Sequence, residues 1–300
     1  MIPEGIILLD KKEGITSMAS DNFIKRTMGT RKVGHSGTLD PFATGLLPVF
    51  TGKALKVMRY TDDYDKAYDC TAVFGIRTST MDPEGEVTAF SVLTGSPEEF
   101  DAIRDAFEKL SHITSQVPPK FSAKKIDGRK AYDLARKGVE IEMPSHPVKI
   151  HSLTVNDMRF DDGKIYADIS VACSKGTYIR SICDDAGELT GFHAHALNLR
   201  RTKAGPFDIK DAYTEEQISE LVSKEDYSFV IPREKCLTGM PRIGLSLSQF
   251  EDVKLGKKIS SDSFSDASEG ERVAAFRNEE LVAVLYKEGT VMRIERMLYT

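Results

Sequence analysis

Two strand-like runs, residues 148–160 and 164–173, are joined by Asp161-Asp162-Gly163, and this pairing limits the fold more than any other feature of the chain. An Asp-Gly step between two such runs favours a tight hairpin turn. The fold must therefore contain an antiparallel sheet. Residues 68–76 add another strand, because Tyr68, Cys70, Ala72, Phe74 and Ile76 recur at every second position and share one face. Tyr68 then faces a sheet surface or a cleft. Ser96-Pro97-Glu98-Glu99 reads as a capping box with proline at the first helical position, and Phe100, Ile103, Phe107 and Leu110 follow at helical spacing. Gly176 and Thr177 are expected to end the second hairpin strand and open a helix that stops at Gly191.

Beyond Pro232 the pattern changes. A Ser/Asp-rich stretch at 260–268 precedes short apolar runs at 273–276, 281–286 and 291–294, separated by Asn278-Glu279 and Glu288-Gly289. That spacing suits a small barrel or meander. The chain thus reads as a mixed α/β (α+β) domain over 1–232 and a small β-rich domain over 233–300.

Three hundred residues suffice for that division. Cys70, Cys173, Cys183 and Cys236 are scattered without a Cys-x-x-Cys pair, so neither a zinc site nor a disulfide framework is indicated, and they read as buried, reduced thiols. The apolar run at residues 6–9 is too short for a signal peptide or membrane span, and no later segment approaches the length of one. A cytoplasmic protein without membrane attachment is expected. No coiled-coil heptads occur, which makes a monomer the default.

A net charge of −5 argues against indiscriminate coating of nucleic acid. The charge is uneven, however. Residues 118–138 carry seven basic side chains (Lys120, Lys124, Lys125, Arg129, Lys130, Arg136 and Lys137) against Asp127 and Asp133. Such a segment either grips RNA or forms a solvated helix face. Phe121 and Tyr132 interleave with the charges and either stack on bases or anchor the segment to the core.

The stretch 34–49, Gly-His-Ser-Gly-Thr-Leu-Asp-Pro-Phe-Ala-Thr-Gly-Leu-Leu-Pro-Val, sets one acidic side chain, Asp40, among turn-forming and small residues. Pro41 biases Asp40 toward an extended conformation and holds the carboxylate out from the backbone. By itself this suits a turn-stabilising aspartate or a catalytic one. His35, beside a glycine, suggests general acid/base work when taken alone.

The whole stretch resembles the signature of the TruB family of tRNA pseudouridine synthases, a G-H-x-G-x-L-D-P-x-A-x-G-x-L-P pattern matched at every position. Five further blocks follow in family order. Residues 8–17 resemble a D-K-P-x-G-x-T-S segment, with Lys12 where proline is usual. Lys66-Ala67-Tyr68, with Gly75, Thr78, Thr80 and Asp82, resembles the second motif, with Ser79 replacing a frequent aspartate. Residues 117–125 are similar to a P-P-x-x-S-A-x-K insert, residues 175–181 to G-T-Y-I-R-S, and residues 199–207 to the last block. His193 stands where a small residue is commoner, and the match past Ile209 is loose.

The resemblance implies a largely antiparallel catalytic domain of pseudouridine-synthase type and a PUA-like C-terminal domain. It implies an isomerase that converts uridine 55 in the T-loop of tRNA to pseudouridine, with neither cofactor nor metal. In that family Asp40 corresponds to the catalytic nucleophile, Arg180 to its partner, and Tyr68, Tyr178 and Leu199 to residues around the flipped uracil. His35 corresponds to the residue that helps extrude the target base. The segment containing Lys124, Lys125, Arg129 and Lys130 corresponds to an insert that closes over the T-stem-loop. A neighbouring arginine is expected to hold Asp40 ionised, below its ordinary range. Other readings remain at this stage: Arg180 pairing with Asp184 four residues on, the tyrosines and Leu199 as plain core, a tRNA-folding chaperone, and the catalytic subunit of a guide-RNA complex. No obligatory protein partner is expected.

Overall fold

The computed structural model describes residues 3–122, 124–126, 129–130, 142–264 and 267–299. Its centre is a nine-stranded sheet. The main path runs β11 (Ile150–Asp161), β12 (Lys164–Cys173), β4 (Lys66–Phe74), β13 (Ala194–Ala204), β3 (Thr44–Thr51), β1 (Ile6–Lys11) and β15 (Val230–Ile231). Two short strands branch from it, β14 (Phe207–Asp208) on β13 and β2 (Val33–His35) on β3. The pairings in this sheet are antiparallel except that of β13 with β3, which is parallel and short. The turn between β11 and β12 is the one anticipated: Asp162 and Gly163 both have positive φ, at 46° and 70°, which is the backbone an Asp-Gly hairpin supplies.

Strand alternation sorts the side chains into two cores. On β1, Ile7 and Leu9 point into one cluster while Ile6 and Leu8 point into another; on β3, Leu47 and Val49 join the first, Leu46 and Phe50 the second. The first cluster is covered by α1 (Ser17–Thr27), α2 (Pro97–Ser111), α3 (Ile179–Thr190) and α4 (Glu215–Ser223), which contribute Ile24, Phe107, Ile182 and Ile218. The capping box of α2 is present, with Ser96 and Glu99 bonding each other's backbone N–H. The face formed by Tyr68, Cys70, Ala72 and Phe74 lies against this core, but Ile76 does not continue it. Gly75, at φ +108°, turns the chain, and Ile76 begins β5 (Ile76–Thr78), which pairs with β6 (Val87–Phe90) in a separate hairpin.

The second cluster joins the back of the large sheet to a five-stranded sheet ordered β16 (Arg242–Gly244), β18 (Arg272–Arg277), β19 (Glu280–Glu288), β20 (Val291–Met297) and β17 (Ile259–Ser260), with α5 (Leu247–Lys254) beside it. Ala274 and Phe276 face the large sheet, whereas Val273 and Ala275 face the small sheet's own core with Val253, Leu285 and Met292. The meander expected from the apolar runs is β18–β19–β20. Each buried leucine, isoleucine or phenylalanine at this junction contributes roughly 1.5–3 kcal/mol, which fixes the small sheet to the large one.

The Asp40 loop lies between β2 and β3, beside the parallel pairing. Gly45 sits there with φ +98°, and a Cβ at that position would lie 2.4 Å from the carbonyl oxygen of Arg201 and 2.8 Å from its amide nitrogen. Only glycine lets β3 approach β13 this closely.

Candidate active site

Three elements meet at a cleft of about 850 Å³: the loop from Gly37 to Asp40, the start of β4, and the N-terminal end of α3. Asp40, Tyr68, Tyr178, Arg180 and Leu199 all line it. Its size suits a nucleoside, given that small-molecule sites usually span about 300–1,000 Å³. Lys66, Lys149, Lys175 and Arg201 make its walls predominantly basic, as a site for a phosphate-bearing ligand requires.

Arg180 organises the centre. Its guanidinium is almost wholly buried, and Nε lies 3.0 Å from the Asp40 carboxylate. Nη1 donates to Asp82 at 2.9 Å and to the Thr80 carbonyl at 2.8 Å, while Nη2 donates to the Phe121 carbonyl at 2.8 Å. Arg180 does not pair with Asp184, which instead accepts a bidentate contact from Arg77 at 2.8 and 2.9 Å. A buried arginine needs compensating charge, and Asp40 and Asp82 supply it from opposite sides.

The loop is held from below. Lys11, fully buried at the end of β1, donates to the carbonyls of Lys12, Pro41 and Ala43 at 2.9, 3.1 and 2.6 Å. Burial lowers its pKa to about 8 against the pull of Asp40. The Ser17 hydroxyl donates to the carbonyl of Leu39 at 3.0 Å and accepts from its N–H at 2.9 Å. Arg201 closes the far side, with Nε to the Leu46 carbonyl and Nη2 to the Gly37 carbonyl, both at 2.7 Å. Asp40 is thus set on a backbone fixed at residues 37, 39, 41 and 43.

The Asp40 carboxyl, 36% exposed to the cleft, titrates above the ordinary aspartate range. The dense surrounding protein is the main cause; Arg180 and Lys11 oppose it and the Asp82 charge adds to it. This corrects the expectation that Arg180 would hold Asp40 below its usual range: the pair forms, but desolvation outweighs it. Burial also raises the Tyr68 phenol, with Arg201 opposing, and raises Tyr178, with Ser122 opposing.

His35 stands behind the loop, outside the cleft lining. Its Nδ1 is 2.9 Å from the Asp21 carboxylate and Nε2 is 3.2 Å from the Thr38 hydroxyl. A ring that donates to Asp21 and accepts from Thr38 satisfies both contacts in one neutral tautomer. Lys124 is half-buried and does not line the cleft. Lys125 and Arg129–Lys130 belong to a small ladder, β8 (Lys125–Ile126) with β9 (Arg129–Lys130), in which Lys125 pairs with Lys130. Their side chains, and Tyr132, Arg136 and Lys137, lie outside the described residues. Among the described residues, no group of three or more His, Cys, Asp or Glu is arranged to hold a metal ion, and no helix is long and apolar enough to cross a membrane.

Sequence reasoning gave no role to Asp82, Lys11, Ser17 or Arg201. Lys11 carried a signal, since it closes a strand of mostly buried apolar residues where a charged side chain must serve a purpose. Asp82 reaches Arg180, and Ser17 reaches Leu39, only through tertiary contacts.

A central sheet of this order and a helix-borne arginine paired with the Asp40 carboxylate in a basic cleft define a protein of the pseudouridine-synthase fold. The chain superposes on one from the crystal structure of a Cbf5-Nop10-Gar1 complex with a TM-score of 0.73 at 22% identity, covering 98% of this chain and 84% of that one. It also superposes on one from the structure of an H/ACA RNP bound to a substrate RNA containing 2′-deoxyuridine, with a TM-score of 0.69 at 21% identity, covering 99% and 85%. Residues 25–179 match the N-terminal domain model of the TruB family pseudouridylate synthases, and residues 180–238 match the tRNA pseudouridylate synthase B C-terminal domain. The tRNA pseudouridine synthase B of Streptococcus gordonii is 39% identical over 284 residues, covering 94% of this chain and 95% of that protein. That of Aromatoleum aromaticum is 40% identical over 248 residues, covering 83% and 78%. The chain belongs to the TruB family of pseudouridylate synthases, which are isomerases. The seam between the two family models falls inside α3, between Ile179 and Arg180, so it divides one sheet and one active site rather than two folding units.

Proposed function

We propose that this chain converts uridine 55 in the T-loop of tRNA to pseudouridine, acting on a flipped-out base with Asp40 as the nucleophile. The observation that carries this reading is the Asp40–Arg180 contact of 3.0 Å at the floor of a cleft lined by Tyr68, Tyr178 and Leu199. The reaction breaks the bond between ribose C1′ and uracil N1 and forms one to C5, releasing the C5 proton while N1 takes one up. It therefore needs a nucleophile, a dry slot for the detached base and an acceptor for that proton, and no electrons or atoms from elsewhere. Asp40 supplies the nucleophile, with Arg180 orienting the carboxylate. Tyr68 and Leu199, each 7% exposed, offer a stacking surface and an apolar floor. Tyr178 lines the side from which the C5 proton leaves.

Base flipping costs a few kcal/mol of stacking. His35 acts there through RNA shape, with its ring held by contacts to Asp21 and Thr38. Residues 1–232 form the catalytic domain, with the segment 118–138 gripping the T-stem-loop through Lys124, Lys125, Arg129 and Lys130. Residues 233–300 form a PUA-like RNA-binding domain. The enzyme works in the cytoplasm as a monomer without an obligatory protein partner, and folding of tRNA on its surface is a secondary activity. The guide-RNA alternative is weaker, because the curated relatives at 33–40% identity carry the name tRNA pseudouridine synthase B.

The deciding experiment is tritium release from an unmodified tRNA transcript labelled at uracil C5, comparing wild type with Asp40→Asn. Release by the wild type and none by the variant supports the reading. Binding of tRNA without release by either protein would instead leave a chaperone.

A further inference from the structure

Tyr178 occupies an unusual position at the start of α3. It is the residue before the first helical turn, in extended conformation (φ −106°, ψ 112°), and no side chain of its own segment caps the helix there. Its backbone is held from elsewhere. Gln116, only 3% exposed, lies on the short strand β7 (Ser115–Gln116) and turns its amide onto Tyr178. Gln116 Oε1 accepts from the Tyr178 N–H at 2.8 Å and Nε2 donates to the Tyr178 carbonyl at 3.1 Å, so one side chain pairs with one residue as a neighbouring strand would. The Tyr178 carbonyl also accepts the first intrahelical bond, from Ile182 at 3.2 Å.

The register partner of Gln116 completes the bracket. β7 pairs with β10 (His146–Pro147), placing His146 opposite Gln116. The His146 ring meets the Tyr178 ring edge-on at 6.2 Å and 82°, while its Nε2 contacts the Gly176 carbonyl at 2.8 Å. Two more bonds tie the same base to α3, from Ser181 Oγ to the Val117 carbonyl at 3.0 Å and from Arg180 to Phe121. β7 and β10 flank the segment 117–145, which contains the basic insert.

We propose that Gln116 is a positioning residue for the isomerisation: its amide fixes the backbone of Tyr178, and through it the Tyr178 ring and the helical turn bearing Arg180, at the root of the RNA-gripping insert. Gln116 is absent from the cleft lining and exchanges no proton. Its effect passes through Tyr178 alone, with His146 steadying the ring from the other side.

The inference rests on the proposed reaction, and the test separates the two. Wild type, Gln116→Leu and Gln116→Glu are compared for single-turnover tritium release, tRNA affinity by filter binding and thermal stability, between pH 6 and 8. Gln116→Leu removes both bonds and is expected to slow release by about tenfold or more, while the tRNA Kd stays within about twofold, since a small misplacement at a reacting centre suffices for such a loss. Gln116→Glu is the discriminating variant. Ionised, it still accepts from the Tyr178 N–H but turns a second acceptor on the carbonyl; protonated, it has a donor and an acceptor and restores both bonds. Its activity relative to wild type at the same pH should therefore climb by about threefold or more from pH 8 to pH 6, because burial brings a carboxyl's titration toward that window. A merely structural glutamine predicts no such climb. A flat ratio, a Gln116→Leu rate within about twofold of wild type, or a parallel loss of rate and affinity would each overturn the proposal. If Gln116→Leu does not fold, the pH dependence of Gln116→Glu decides alone. Absence of release by the wild type would instead remove the proposed reaction.

Discussion

Asp82→Asn is the most informative single change at the centre of the site. The Asp82 side chain is 4% exposed and accepts from Arg180 Nη1 at 2.9 Å, from the Thr80 hydroxyl and from the Glu84 N–H at 3.1 Å. Asparagine keeps the shape and one acceptor and loses the charge. Removing one partner of a buried ion pair costs about 3–5 kcal/mol, and since Arg180 keeps Asp40 as a counter-ion, the lower end, about 3 kcal/mol of stability, is expected. The catalytic loss has a separate origin. With its backing gone, the guanidinium relaxes toward the cleft, and a displacement near 1 Å at a positioning group costs about a hundredfold in rate. The pH profile carries the signature. The Asp82 charge is one of the influences raising Asp40, so its removal leaves Arg180 and Lys11 to stabilise the Asp40 carboxylate without that opposing charge. The acid limb of single-turnover tritium release should move to lower pH while the maximal rate falls. A limb that moves to higher pH, or a rate within about threefold of wild type, would refute the assignment of Asp82 as the anchor of Arg180.

Asp40→Asn should abolish release while leaving thermal stability equal or improved: the folded pKa of Asp40 is raised, so its ionised form weighs against folding as pH climbs through that value, and melting at pH 7.5 checks it. His35→Ala should lower the single-turnover rate only moderately, and a loss comparable with that of Asp40→Asn would overturn this division of roles. For Lys11→Met the comparison is one of stability against pH. The unfolded lysine keeps its proton to about 10.5 and the folded one only to about 8, so wild type gains stability across that interval and the deficit of the variant should widen from pH 8 to 10. Gly45→Ala should destabilise by about 2–5 kcal/mol through positive-φ strain and collision with the Arg201 backbone. Charge reversal at Lys124, Lys125, Arg129 and Lys130 should raise the KM for tRNA and flatten its salt dependence, which steady-state assays at two ionic strengths measure.

Local signals in the sequence located the long hairpin, helix α2 and the C-terminal meander, because Asp162-Gly163, the Ser96–Glu99 capping box and the short apolar runs of 273–294 with their intervening turns act within a few positions of themselves. The beginning of α3 was misplaced for the opposite reason. Thr177 looked like a cap, but its hydroxyl bonds back to the Ser174 carbonyl at 3.0 Å, and the helix begins at Ile179 with Tyr178 held by Gln116, a residue 62 positions earlier. Asp40 and Arg180 were legible through motif resemblance, and the direction of Asp40's pKa was not, because desolvation depends on how many chain segments crowd the cleft. Asp82, Lys11 and Arg201 act on groups far along the chain, at Arg180, at Pro41 and Ala43, and at Leu46 and Gly37, where a linear pattern gives no distance.

The parallel contact between β3 and β13 has a consequence for the order of events during synthesis. Thr44 and Arg200, register partners there, are 156 residues apart, so the loop that carries Asp40 leaves the ribosome long before the strand that clamps it. At elongation rates of about 5–20 residues per second, that interval is roughly ten to thirty seconds. During it, β1 and β3 can pair as neighbours, yet the Leu46 and Gly37 carbonyls have no Arg201 to receive. Closing such a long loop is slow and comes late in folding. A nascent chain stalled before residue 200 would therefore hold Asp40 on an unclamped loop, and the cleft would be completed with the last strands of the sheet rather than with the motif that carries Asp40.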